Sequence, residues 1–114
     1  MSAASSPGFA IHTGQAGDDT SIVVRGELDL STSPALAAAL EDAAATGAGS
    51  VTLDLSAVTF IDSSALRVLV QGGRDLKTCG KVLFIGGRST VVTRVLAMTN
   101  LDTATESFRL LPKQ

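Results

Sequence analysis

The residues best placed for chemistry are an acid and two adjacent hydroxyls within the stretch FIDSSALRVLV, residues 60–70. Asp62, Ser63 and Ser64 stand between a segment typical of a strand and a segment with the apolar spacing of a helix. Asp is a favoured helix cap, because its carboxylate accepts hydrogen bonds from the first free amides, here those of Ser64 or Ala65. Capping by Asp62 would account for the three residues without any further function.

The same position would also suit a switch that works by phosphorylation. A serine in the first helical turn is expected to be exposed, and a phosphate there meets the positive end of the helix dipole. Modification would therefore leave the fold intact. The added ~1.5 to 2 negative charges beside Asp62 would act on binding, because they would repel an acidic or close-fitting partner surface.

Other arrangements that could support catalysis or ligand binding are weak. His12 is the single histidine and no motif accompanies it, so we expect it in a strand or at the surface. Cys79 stands alone, which excludes an internal disulfide and a cysteine metal cluster. The stretches FIGGRS (84–89) and QGGRD (71–75) match no phosphate-binding motif; they predict a tight turn and a helix closely approached by a neighbour. We expect no cofactor and no metal.

Composition limits the class of protein further. The chain has 114 residues, 45% hydrophobic and 18% charged, which favours one compact domain. It has four Phe but no Trp or Tyr, which argues against direct nucleic-acid binding by base stacking. No apolar run approaches the ~20 residues of a membrane helix, and the start resembles no signal peptide. With the lone cysteine, these features predict a cytoplasmic protein without membrane association.

The elements that must position the candidate residues alternate between strands and helices. Strands are predicted at 21–28, 51–55 and 81–85, with weaker candidates at 9–13 and 107–111. The run KVLFI (81–85) is continuously apolar, which is typical of a strand covered on both faces. Helices are predicted from Pro34 to about Ala45 with Ser33 as cap, over 63–78, and after IGGRS with Ser89 as cap.

This order predicts the α/β class, a single domain with a mixed β-sheet flanked by helices. The elements run β-β-α-β-α-β-α, and a further C-terminal strand or helix is left open. Two leading strands close together indicate an antiparallel pair, whereas strands separated by helices indicate parallel crossovers. We expect residues 1–8 to form a flexible tail and residues 9–111 to form the domain.

Three blocks of the sequence resemble a known family. They are RGELDLSTSPALAAAL (25–40), VTLDLSAVTFIDSSALRVLV (51–70) and VVTRVLAMTNLD (91–102). Together they resemble the STAS domain of bacterial anti-sigma factor antagonists, in order and over roughly residues 8–110. The most specific parts are GELD followed by a helix and DLSAVTFIDSS followed by a second helix.

The resemblance implies a binding switch with no enzymatic activity of its own. The unphosphorylated protein would bind an anti-sigma factor that is also a serine kinase with a GHKL-type ATPase fold, and so release the sigma factor. That kinase would phosphorylate Ser63 and switch binding off, and a PP2C-type phosphatase would restore the active form. The implied partner-binding residues are Asp29, Asp62, Ser64 and Ala65. Ala65 replaces the usual Gly, which bears on partner choice because it adds a methyl group.

Two other functions stay open from the sequence. One is a STAS subunit of a lipid-transport ABC system, which would dock permanently on its ATPase without modification of a serine. The other is a small enzyme or nucleotide binder, for which the glycines give no support. The oligomeric state is open between a monomer and a weak dimer.

Overall fold

The computed structural model describes residues 3–6, 8–102 and 106–112, and it contains a sheet whose strands are linked largely through helices. The elements are β1 (Ala3–Ser6), β2 (Phe9–Ala16), β3 (Asp19–Leu28), α1 (Ser33–Ala44), β4 (Ser50–Ile61), α2 (Ser63–Thr78), β5 (Val82–Arg88), α3 (Thr90–Met98) and β6 (Arg109–Leu110). The predicted α/β class and the order β-β-α-β-α-β-α are confirmed, and the C-terminal element left open is a short strand.

The strands lie in the sheet in their order along the chain, from β1 to β6. The pairs β1–β2 and β2–β3 are antiparallel, and the other three neighbouring pairs are parallel, so the sheet is mixed as predicted. Each parallel pair is joined through one helix. Because parallel crossovers are right-handed and all three advance in the same direction, the helices lie on one face of the sheet.

Burial along the strands follows this one-sided arrangement. In β3 and β4 every second side chain is buried over most of the strand, including Ile22, Val24 and Leu53. In β5 Ile85 is fully buried, but Phe84 beside it is only half-buried. The prediction that KVLFI is covered on both faces is therefore wrong, since the helices cover one face and the strand alternates.

The starts of two helices test the predicted caps. Ser89 caps α3, where its hydroxyl accepts from the amide of Val92 at 3.3 Å, as predicted. For α1 the prediction of Ser33 as cap is wrong by one residue, because Thr32 occupies the cap position and Ser33 is a buried first-turn residue. The Thr32 hydroxyl does not cap the helix; it donates to the carbonyl of Glu27 at 2.7 Å instead.

The glycines of QGGRD lie in α2, as predicted, and one of them permits a close approach. A Cβ added at Gly73 would collide with the backbone carbonyl of Ser107. This is the packing reason expected for a glycine inside a helix. The tight turn predicted for FIGGRS is wrong, because Gly86 and Gly87 continue β5 as far as Arg88.

The N-terminal residues differ from the predicted flexible tail. Residues 3–6 form β1, which pairs with β2 from Ala3 opposite His12 to Ser6 opposite Phe9. β1 joins the sheet through main-chain hydrogen bonds to the open edge of β2. Such pairing does not require alternating apolar side chains, so the sequence pattern did not indicate this strand. Residues 1, 2 and 7 of the predicted tail lie outside the described residues.

Within the described parts of the chain, no helix is both long enough and apolar enough to span a bilayer.

Candidate functional site

Two neighbouring parallel strands end side by side at the candidate site. Leu28, the last residue of β3, lies opposite Ile61, the last residue of β4. The amide of Asp62 then donates to the carbonyl of Leu28 at 3.1 Å. The residues that follow the two strands are Asp29 and Asp62, so the sheet brings together two acids that are distant in the sequence. This is the carboxyl edge of the parallel strands, where α/β proteins commonly place their sites.

Asp62 caps α2, as the sequence predicts. Its backbone is extended, and one carboxylate oxygen, Oδ1, accepts from the amides of Ser64 at 3.0 Å and Ala65 at 3.2 Å. The same oxygen accepts from the Ser64 hydroxyl at 2.5 Å. The hydroxyl bond is the main cause that lowers the pKa of Asp62 below its ordinary value, although desolvation opposes it. Asp62 therefore stays ionised at neutral pH.

The two serines differ in availability although they are adjacent. The Ser64 side chain is half-buried, and its hydroxyl proton is committed to Asp62. The Ser63 side chain is exposed, and its hydroxyl makes no hydrogen bond within the described part of the chain. Ser63 is thus the hydroxyl that an external group can reach.

The loop after β3 is held by the side chain of Asp29. Its Oδ1 accepts from the amide and hydroxyl of Ser31 at 2.9 and 2.7 Å, and from the amide of Thr32 at 3.1 Å. The Ser31 hydroxyl is the main cause that lowers the pKa of Asp29. The loop over residues 29–32 is therefore ordered by its own hydrogen bonds, in the manner of an Asx turn.

The two acids form one negatively charged edge. The carboxylate of Asp29 is close enough to act on Asp62, where it favours the protonated form and so raises the pKa. The hydrogen bonds on Asp62 outweigh this repulsion, because the pKa remains lowered. Both groups are ionised at neutral pH, and Glu27 at the end of β3 adds a third acid nearby.

Ala65, which stands where the family usually has Gly, is buried under the surface of the site. Its side chain is completely buried and belongs to the hydrophobic core, while its amide donates to Asp62. The resemblance implies that Ala65 takes part in partner binding, and in the free protein its side chain is not available at the surface. The methyl faces the core, where it favours the helix and does not alter the exposed surface.

Two exposed apolar side chains beside the acids were not identified from the sequence. Leu30 follows Asp29 and is 77% exposed, and Phe60 precedes Asp62 by two residues and is 46% exposed. The sequence signal for them was an apolar residue within two positions of each acid, in ELDLST and FIDSS. This pattern alone does not show whether the two side chains are buried. The loop after β3 and the alternation of β4 place them outside the core.

The remaining candidates lie away from this edge. His12 is exposed in β2 and pairs with Val23, in the middle of β3 and six residues before Asp29. Cys79 is exposed at the end of α2, some 16 residues and about 24 Å of helix from Ser63. Among the described residues, no cluster of three His, Cys, Asp or Glu side chains could hold a metal ion.

The family of the chain follows from comparison of its sequence with known domain families. Residues 11–112 match the family model described as Mlab, STAS domain, so the chain belongs to the STAS domain family. This agrees with the resemblance to the STAS anti-sigma factor antagonists, and solved proteins of that description share the fold.

Three solved structures are similar to the chain. An anti-sigma factor antagonist from Mycobacterium paratuberculosis is 27% identical with a TM-score of 0.79, over 96% of this chain and 92% of the other. A putative anti-sigma factor antagonist from Thermotoga maritima is 23% identical with a TM-score of 0.71, over 90% and 86%. The phosphorylated Bacillus cell fate determinant SpoIIAA is 20% identical with a TM-score of 0.65, over 84% and 92%. The last two show the shared fold.

Proposed function

We propose that this protein is an anti-sigma factor antagonist whose binding is switched by phosphorylation of Ser63. The observation that carries the proposal is the difference between the two adjacent serines. Ser63 is exposed with an unengaged hydroxyl in the described structure, whereas Ser64 is held by Asp62. The 27% identical mycobacterial structure, an anti-sigma factor antagonist, supports the assignment of class.

In the proposed cycle the unphosphorylated protein binds an anti-sigma factor serine kinase of the GHKL-type ATPase fold, and the sigma factor is released. The kinase transfers the γ-phosphoryl group of ATP to Ser63 Oγ. A new O–P bond forms, the bond to the ADP leaving group breaks, and the hydroxyl proton is released. A PP2C-type phosphatase hydrolyses the phosphoserine and restores binding. The protein itself is a binding protein of the cytoplasm, not an enzyme.

The phosphate would act on binding and not on folding. Ser63 is the first residue of α2 and is exposed, so a phosphate there displaces no core side chain. It would add ~1.5 to 2 negative charges next to Asp62 and Asp29, both of which are ionised. A partner that fits this edge closely would then be repelled or sterically excluded.

The surface around Ser63 indicates the chemistry of the partner. Asp29 and Asp62 provide negative charge, and Leu30 and Phe60 provide exposed apolar side chains. We therefore propose that the kinase presents basic side chains around an apolar depression. Apolar anchors surrounded by complementary charge are the usual composition of a specific protein interface.

The test is an affinity capture from the native cytoplasm with three variants as baits. Ser63→Ala is expected to retain a small ATPase-type kinase, and Ser63→Glu is expected to lose it. Thr90→Glu is the matched control, because it places the same charge on the exposed first residue of another helix, α3, and leaves Ser63 in place. Captured proteins are identified by mass spectrometry. Equal retention of the same partner by Ser63→Ala and Ser63→Glu would refute the switch.

A second candidate is a STAS subunit that docks permanently on the ATPase of a lipid-transport ABC system. The observation that favours it is the complete cap at Asp62, since capping alone accounts for the residues Asp62, Ser63 and Ser64. The same capture decides between the two. A transporter ATPase held equally by every bait would establish the permanent subunit, whereas a kinase lost from Ser63→Glu would establish the switch.

A further inference from the structure

One exposed arginine lies a helical turn from the proposed phosphorylation site. Ser63 opens α2 and Arg67 follows four residues later, and both side chains are exposed. Residues at this spacing are neighbours on the helix surface, with Cβ atoms about 5–6 Å apart. Helical side chains tend to lean toward the N-terminus, so Ser63 lies on the side that a rotamer change of Arg67 can bring its guanidinium to.

Arg67 is unengaged in the unphosphorylated protein. It forms neither an ion pair nor a hydrogen bond to any other residue that the structure describes. Its side chain lines a groove of about 380 Å³ between α1 and α2, together with two acids, Glu41 and Asp75. Asp75 already accepts from the Gln71 side chain at 2.9 Å. The guanidinium is therefore free to pair with a new anion.

A phosphate on Ser63 would need such a cation. The helix amides nearest to it, those of Ser64 and Ala65, already donate to the carboxylate of Asp62. Asp62 and Asp29 would repel the phosphate, because both carry negative charge at neutral pH. A planar guanidinium makes strong, often bidentate, hydrogen bonds to phosphate oxygens and is well suited to offset that repulsion.

We propose that Arg67 is a positioning residue that pairs with the phosphate of phosphorylated Ser63. The proposal rests on the proposed function, since it concerns the modified form of the same serine. Phosphorylation would draw Arg67 from the groove between α1 and α2 toward the first turn of α2. The pair would cancel about one of the added charges and hold the phosphate in a defined orientation at the docking edge, the negatively charged edge formed by Asp29 and Asp62.

The test places phosphoserine at position 63 by codon suppression and follows the phosphate by phosphorus NMR as a function of pH in ~0.1 M salt. Pairing with a cation favours the dianion, so its second pKa, ordinarily about 6, is expected to rise by about 0.2–0.4 of a unit in Arg67→Gln relative to the parent. Arg67→Lys keeps the charge and is expected to restore part of the difference. Equal titration of the parent and Arg67→Gln would overturn the proposal.

Arg74 supplies the matched control. It is exposed on nearly the same side of α2, but eleven residues and about 16 Å of helix from Ser63, beyond the screening length of about 10 Å in 0.1 M salt. Arg74→Gln makes the same change of charge and is expected to titrate like the parent. A shift equal to that of Arg67→Gln would show a general charge effect and would also overturn the pairing.

The titration tests the pairing of Arg67 independently of the partner capture, which tests the proposed switch. The phosphate is installed during synthesis, so the titration reports on Arg67 whether or not a cellular kinase uses Ser63. Partner capture by Ser63→Ala and Ser63→Glu reports on the switch without depending on Arg67. A normal titration shift with no loss of partner from Ser63→Glu would reject the switch and keep the pairing.

Discussion

Removal of the Asp62 side chain tests whether the docking edge and the helix start share one residue. Asp62→Ala removes an oxygen that accepts three hydrogen bonds, two from amides and one from the Ser64 hydroxyl. Loss of a helix cap costs about 1 kcal/mol, within a range of about 0.5–2. Loss of a negative charge at the start of the helix adds roughly 0.3–1 kcal/mol. We expect the free energy of unfolding to fall by about 1.5–2 kcal/mol.

The assay is urea unfolding followed by circular dichroism, because the chain has no Trp or Tyr for fluorescence. With a urea dependence of about 1–3 kcal/mol per molar, the midpoint of Asp62→Ala should fall by roughly 1 M. Ser89→Ala is the matched control, since Ser89 caps α3 with a single bond of 3.3 Å and carries no charge. Its expected loss is smaller, about 0.5–1 kcal/mol.

Asp62→Asn separates capping from charge. Asn caps a helix about as well as Asp, so most of the stability should be retained while the charge is removed. Because the folded-state pKa of Asp62 is lowered, its charge contributes stability above the unfolded-state pKa of about 3.9. This contribution is lost as the pH falls through the lower folded-state pKa. The difference in stability between the parent and Asp62→Asn should therefore close in that acidic range.

The results that would refute this reasoning are specific. An unchanged midpoint for Asp62→Ala would mean that the cap does not stabilise α2. A difference between parent and Asp62→Asn that persists below the folded-state pKa would mean that the charge is not its cause. Equal capture of kinase by the parent and a normally folded Asp62→Asn would mean that the charge of Asp62 has no part in partner binding.

Five further substitutions test the fold and the surface. Gly73→Ala should lower stability by about 1–3 kcal/mol, because the new methyl meets a backbone carbonyl that cannot move aside. Gly72→Ala meets only the end of a flexible leucine and gains helix propensity of up to about 1 kcal/mol, so urea unfolding should show a much smaller loss or a gain. Lys81→Met should cost about 2–3 kcal/mol by the same measurement, because its buried ammonium donates to the carbonyls that follow α1 at 2.7 and 2.5 Å. Leu30→Ser and Phe60→Ser should each weaken kinase binding about tenfold with unchanged stability, as judged by titration calorimetry and urea unfolding. Full affinity in both serine variants would contradict the proposed apolar anchors.

The sequence predicts those features of the site that depend on residues close together in the chain. The cap formed by Asp62 depends on residues within three positions of it, and the Asp-Ser-Ser order before a helical pattern is sufficient to indicate it. The cap of α1 was predicted one residue too late, because two neighbouring residues can both cap a helix. Ser is a slightly better helix cap than Thr, yet the helix begins directly after Thr32, whose hydroxyl bonds five residues back to the Glu27 carbonyl.

Features that depend on the whole sheet could not be predicted from local patterns. Asp29 lies beside Asp62 because β3 and β4 pair in parallel and end together, and the sequence indicated this only through the family resemblance. Phe84 suggested a strand covered on both faces, but coverage depends on the direction of three crossovers. The different availability of Ser63 and Ser64 depends on the direction of one hydroxyl, for which residue type carries no information.

The loop from Asp29 to Thr32 has a consequence for the kinetics of partner binding. Its hydrogen bonds are already formed in the free protein, so little conformational entropy remains to be lost when a partner docks. Association can then proceed as a rigid-body encounter, at a rate set by diffusion and by the negative charge of the edge. Under the proposed switch, the lifetime of each regulatory state would be set by the chemistry of the phosphate and not by a slow rearrangement of the loop over residues 29–32.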